Sequence, residues 1–133
     1  MRKLGLALAA AFVGLGSAGA SAQPAPNPNT HSACFFVNQF WNWKAPNDKT
    51  IYIRVNLNQY YRLDLASSCP ELLWPDPHLI MNVRGPDTIC TALDWQLRVS
   101  NGGRLGGGVP CIVKTMTELT PGEAAAIPAK FKP

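Results

Sequence analysis

The 133-residue sequence predicts a mostly-β domain, a small antiparallel barrel or sandwich of about six strands with one short C-terminal helix, stapled by two disulfides. Three observations predict it. Between Thr50 and Leu65 the apolar residues recur at every second position: Ile51, Ile53, Val55 and Leu57 with Tyr52, Arg54 and Asn56 between them, then Tyr61, Leu63 and Leu65 with Arg62 and Asp64 between. Successive side chains of a strand point to opposite faces, so this pattern is a hairpin with one face for the core and one for water. A second alternation, Trp95, Leu97 and Val99 against Gln96 and Arg98, marks another half-buried strand. The third observation is an even set of cysteines, Cys34, Cys69, Cys90 and Cys111, in a chain that opens like an exported one.

The opening segment has a basic head (Arg2, Lys3), an apolar run from Leu4 to Gly16 and small residues at Ala20-Ser21-Ala22. This is the layout of a signal peptide over 1–22, with cleavage expected before Gln23 and a periplasmic or secreted destination. The run is shorter than the roughly 20 residues that span a bilayer, so no stable membrane insertion is expected after cleavage. Cleavage would leave 111 residues, one domain's worth of chain, with 10 basic against 8 acidic side chains. A net charge of +2, with both signs interspersed, gives no basic patch for nucleic acid.

Residues 23–33 are rich in Pro, Asn and Thr, with nothing large and apolar to bury, and are expected to form a disordered tether. Cys34 to Val37 reads as a short strand, and Lys44 to Lys49 as a turn in which Pro46 forbids regular structure. After the hairpin, Pro70 opens a single helical turn through Trp74. His78–Val83 and Thr88–Thr91 read as strands joined by the Arg84-Gly85-Pro86-Asp87 turn. Ser100 to Val109 holds five glycines and leads into a strand through Val113, which is neither of the glycine patterns that cradle phosphate. Thr120-Pro121-Gly122-Glu123 is a capping box opening a helix that Pro128 stops. The folded domain is thus expected over 34–127, with 128–133 a frayed tail.

In an oxidising compartment an even cysteine count reads as two disulfides. A metal site is disfavoured: there is no Cys-x-x-Cys, His31 lies in the tether, and His78 has no ligand at a characteristic spacing. If successive strands pair as simple hairpins, Cys34 and Cys69 fall at opposite ends of the sheet. The meander then favours Cys34 with Cys111 and Cys69 with Cys90.

The order Cys34-Phe35, Asn42-Trp43-Lys44, Asp48-x-Thr50-Ile51-Tyr52-Ile53, Tyr61-Arg62-Leu63-Asp64-Leu65 with Cys69-Pro70, Ile89-Cys90 with Asp94, Cys111-Ile112-Val113 and Leu119-Thr120-Pro121 resembles the small exported bacterial proteins grouped as domain of unknown function 6491. The resemblance implies a periplasmic or surface domain without an assigned activity, and it carries no catalytic residues to transfer.

No catalytic set is legible. A nucleophile needs a base beside it, and His78 sits between prolines and an apolar strand. The carboxylates Asp48, Asp64, Glu71, Asp76, Asp87 and Asp94 have no spacing that marks out a pair. No cofactor motif is present. The candidate binding residues are aromatic and cationic: Tyr52, Arg54, Tyr60 and Arg62 on the hairpin's polar face, with Trp41 and Trp43 nearby. Such a face suits an envelope protein, a peptide or a glycan, through stacking and cation–π contact. The bland alternative is a second small core, with the Phe40–Trp43 segment covering that face. The function expected is a non-catalytic binding or structural envelope domain; the alternative is a small secreted enzyme or protease-inhibitor-like module presenting the 100–109 loop.

Overall fold

The Thr50–Leu65 hairpin is the middle of the molecule. In the computed structural model, which describes residues 34–102 and 107–133, β3 (Thr50–Val55) and β4 (Gln59–Leu65) pair antiparallel with Ile51 opposite Leu63 and Ile53 opposite Tyr61. Ile51, Ile53, Val55, Tyr61 and Leu63 are completely buried, as the alternation requires. Leu57 breaks the pattern. The last pair, Val55 with Gln59, leaves Asn56-Leu57-Asn58 as the connection, with Asn56 at φ 54°, and Leu57 projects from the tip at 63% exposure. The expected signal peptide (1–22) and tether (23–33) lie outside the described residues, as does the middle of the Gly-rich loop.

Nine strands in three antiparallel sheets are present among the described residues. The largest sheet has the order β2 (Phe40–Asn47), β3, β4, β9 (Val113–Glu118). A three-stranded sheet has the order β5 (His78–Val83), β7 (Trp95–Ser100), β8 (Val109–Cys111), and β1 (Phe35–Phe36) pairs with β6 (Thr88–Ile89). All three feed one core cluster, in which Ile53 and Leu63 of the first sheet meet Leu97 and Val99 of the second and Phe35 and Ile89 of the third. Among the described residues the arrangement is sandwich-like, with no closed barrel. The chain passes from one sheet to the other at Cys111-Ile112-Val113, where Ile112 turns outward at 66% exposure.

Three expectations about pairing and one about the tail need correction. First, the Lys44–Lys49 turn is shorter than expected, because β2 runs on through Pro46 to Asn47. Proline lacks a ladder donor, but β2 is an edge strand and Ala45-Pro46 form a bulge between the Lys44–Tyr52 and Asn47–Thr50 pairs. Second, β5 and β6 are not a hairpin: β5 pairs with β7, and β6 is only two residues long. Its continuation is blocked because the Asp94 carboxylate accepts the backbone N–H groups of both Cys90 (2.8 Å) and Thr91 (2.7 Å), which also holds the Asp94 pKa below its ordinary value.

Third, the disulfides are Cys34–Cys90 and Cys69–Cys111, not the pairs that a meander favours. Phe35 lies opposite Ile89, so the next residues outward, Cys34 and Cys90, face each other with Cα atoms 4.0 Å apart. Leu65 lies opposite Val113 in the β4–β9 pair, so Cys69, just past β4, meets Cys111, just before β9. Both bridges follow from pairings between strands remote in sequence, β1 with β6 and β4 with β9. Finally, the tail at 128–133 is not frayed: Ala129–Phe131 form a 3-10 turn and Pro133 is buried.

The predicted local signals at the two helical turns hold. Pro70–Leu73 is a 3-10 turn with Pro at its start. In α1 (Pro121–Ala126) Thr120 Oγ1 accepts the Glu123 N–H (3.3 Å) while the Glu123 carboxylate accepts the Thr120 N–H (2.8 Å). These hydrogen bonds stabilise the ionised form of Glu123 and lower its pKa from the ordinary 4.5. The stabilisation is therefore present above about pH 4.5 and lost as pH falls through the depressed folded value. Thr120→Ala is expected to cost about 1 kcal/mol near neutral pH. In denaturant melts the gap should narrow but not close as the pH is lowered through the carboxylate range, because the Thr120 hydroxyl loses its ionised acceptor while the Glu123 N–H to Thr120 Oγ1 bond does not titrate; a gap that is the same near neutral and at acid pH would argue against the hydroxyl–carboxylate bond as a contributor.

Candidate functional site

Directly opposed residues of an antiparallel pair share a face. Tyr52 opposes Arg62 and Arg54 opposes Tyr60, so these four form the outer face of the β3–β4 hairpin, away from the core. On the neighbouring strand Lys44 opposes Tyr52 and Asn42 opposes Arg54, which adds both to that face. Trp43 opposes Ile53 and therefore turns inward, where it packs on the core. Phe40, opposite Val55, does the same.

Trp41 is the extra residue of a bulge between the Phe40–Val55 and Asn42–Arg54 pairs. The bulge re-aims its side chain outward, and the ring is 64% exposed. The Arg54 guanidinium carbon stands 5.2 Å from the Trp41 ring centroid and 6.0 Å from that of Tyr60. The same guanidinium donates from Nε (3.2 Å) and Nη2 (2.8 Å) to the Leu57 carbonyl, tying the hairpin tip to the strand. One cation thus braces a tryptophan, a tyrosine and a turn. Beside this brace lies a shallow depression lined by Trp41, Asn56, Leu57, Asn58 and Gln59.

The six candidate residues do not act as one set. Trp41, Arg54 and Tyr60 are brought together; Tyr52 lies on the same face; Arg62 is held in an ion pair with Asp64 at 2.9 Å. Trp43 is on the other side of the sheet. The face is not covered by the Phe40–Trp43 segment. Part of it is crossed by the C-terminus: the Leu119 N–H donates to the Tyr60 carbonyl (2.9 Å), α1 follows, and the 3-10 turn at Ala129–Phe131 arrives against β2 at the opposite edge. Ala124 and Ile127 are buried outside the main core, and Lys132 Nζ lies 5.6 Å from the Tyr60 ring centroid. Tyr60 is consequently half-buried while Trp41 stays open.

Asn56, Leu57, Asn58 and Lys132 are missed by strand periodicity. Leu57 reads as a fourth inward residue when the turn is not located, and Lys132 reads as tail. The out-of-place signal is Leu57 itself, flanked by two asparagines that favour turns.

Several other ionisable groups make structural contacts. His78 Nδ1 is 4.0 Å from Asp76 Oδ1 on an exposed edge. The Cys69 and Cys111 sulfurs and the Glu71 carboxylate lie within 4.8 Å of one another, but the sulfurs are bonded to each other, which leaves Glu71 as the donor. Tyr61, buried near Glu118, has its phenol pushed up to about 12, chiefly by burial, and its hydroxyl accepts from Gln59 Nε2 at 2.8 Å. In the Gly-rich connection Arg98 Nη2 donates to the Gly108 carbonyl (2.7 Å) and Arg98 Nε to that of Gly107. Gly108 has φ 57°, and a Cβ there would meet the Val99 carbonyl oxygen at 2.8 Å, so only glycine fits this close approach. No helix of the described residues is long and apolar enough to cross a membrane.

Comparison with curated proteins and with solved structures finds no match. A family model does match, over residues 1–130, and its description is a family of unknown function. With that span nearly the whole chain, the chain belongs to the family of unknown function DUF6491.

Proposed function

We propose that this protein is a non-catalytic domain of the cell envelope, exported to the periplasm or beyond, that holds a glycan on the Trp41 face. Export is supported by the two disulfides, which need an oxidising compartment, and by the signal-like first 22 residues. The observation that carries the binding reading is the exposed Trp41 ring, braced by Arg54 beside the amide-lined depression of Asn56 and Asn58. An indole offers a flat apolar surface for the C–H face of a pyranose, and an amide supplies both a donor and an acceptor to sugar hydroxyls. The Arg54 hydrogen bonds to Leu57 hold the ring and the tip before any ligand arrives, which lowers the ordering cost of binding.

Titration calorimetry with an N-acetylglucosamine trimer and with soluble cell-wall glycan fragments tests this. The parent is expected to bind and Trp41→Ala to weaken binding at least tenfold, that is by about 1.4 kcal/mol. Trp43→Phe, on the core side, is expected to leave affinity unchanged. Equal affinity of parent and Trp41→Ala, or no heat with either glycan, would refute the reading.

A further inference from the structure

A second concavity opens where the chain leaves β8 for β9. It is a cleft of about 330 Å3, at the small end of the range of ligand cavities. Core residues Trp95 and Cys111, each 3% exposed, line it together with Leu93 and Ile112, which are 80% and 66% exposed. Two large apolar side chains left in water at the walls of one cleft are an unmet burial. Trp95 carries a second unmet requirement: its Nε1–H is a buried side-chain donor without a hydrogen-bond partner, unique in that respect among the described residues.

The charge in the cleft has one sign. Arg84 and Arg98 line it and no acidic side chain does. Arg98 is spent on the Gly107 and Gly108 carbonyls, whereas the Arg84 guanidinium makes no hydrogen bond or ion pair among the described residues. No ion pair joins Arg84 to the nearby Asp94, whose carboxylate stays anionic while it accepts the Cys90 and Thr91 N–H groups.

We infer that this cleft is a binding site for a small apolar carboxylic acid, with an aromatic or branched body between Leu93 and Ile112 and a carboxylate paired with Arg84. The apolar walls call for a hydrophobic body and Arg84 for an anion, while Trp95, itself part of the wall, senses occupancy. Both requirements belong to one ligand class: a neutral hydrocarbon would satisfy only the walls, and an inorganic anion only the arginine. The site is separate from the Trp41 face and does not depend on it.

The test is a titration of the oxidised, nitrogen-15-labelled protein with 3-phenylpropionate, using the neutral alcohol 3-phenylpropan-1-ol as comparison, read on the indole N–H resonances. Trp95→Phe identifies the Trp95 signal by its loss. The acid is expected to shift that signal saturably, with the alcohol at least tenfold weaker. Arg84→Gln, at an exposed position, is expected to weaken the acid at least tenfold and leave the alcohol unchanged, and Leu93→Asp to abolish both. No saturable shift of the Trp95 signal, or equal affinity of parent and Arg84→Gln for the acid, overturns the inference.

Discussion

Replacing Cys69 and Cys111 together by alanine is expected to lower the unfolding free energy by about 4 kcal/mol, the value that loop-closure entropy assigns to a bridge of this span. The bridge joins residues 42 apart in sequence, and it sits where the β4–β9 pair ends and the chain crosses between sheets. At the crossing itself the Ala66 N–H donates to the Ile112 carbonyl, between the Leu97–Cys111 and Leu65–Val113 pairs, and the bridge is the covalent tie there. Both sulfurs are buried, so their removal also leaves a void in the core. Cys34–Cys90 spans 56 residues and the same entropy applies, but Cys90 is exposed and the void is smaller. The 69–111 double variant should therefore be the less stable of the two. Urea unfolding of the oxidised parent against each double variant measures both losses. A loss under about 1 kcal/mol for the 69–111 pair would mean that the β4–β9 register needs no covalent help.

Phe35→Ala should cost about as much, some 3–5 kcal/mol, by cavity formation. The residue lies in a strand of two residues, where backbone pairing alone could not hold it. Its ring, 2% exposed, lies 5.2 Å from that of Tyr61 in β4 and meets the Trp95 ring of β7 edge-on at 5.9 Å. One side chain therefore joins all three sheets. Phe35→Leu keeps most of the volume and should lose markedly less, whereas comparable losses for the two would point to the aromatic geometry itself. Near-ultraviolet circular dichroism should weaken in the alanine variant even where the backbone signal survives, because Tyr61 and Trp95 lose their common neighbour.

The faces of the strands were legible because alternation is a local property. Ile51, Ile53, Val55, Tyr61, Leu63, Trp95, Leu97 and Val99 are all buried as their spacing requires. The capping box at Thr120 and the proline-led turn at Pro70 were legible for the same reason, since each completes its hydrogen bonds within one turn. β9 left no such mark: Val113-Lys114-Thr115-Met116-Thr117-Glu118 is an edge strand with few buried positions, and its partner β4 is some fifty residues away. Because that pairing is invisible in the alternation, the Cys69–Cys111 bridge was invisible too.

The candidate site divides along the same line. That Tyr52, Arg54, Tyr60 and Arg62 share a face follows from a period of two in a hairpin. That Trp41 joins them while Trp43 faces the core depends on a bulge of one residue, which reverses the facing of every position beyond it and has no signature in composition. The sequence by itself determined compartment signals, mostly-β class, the cysteine count and the inward faces of β3, β4 and β7, since those depend on neighbours a few residues apart. Only the tertiary structure decided which strands pair, which sulfurs join, which tryptophan is left in water and how the tail lies, because each turns on contacts between segments that are distant along the chain.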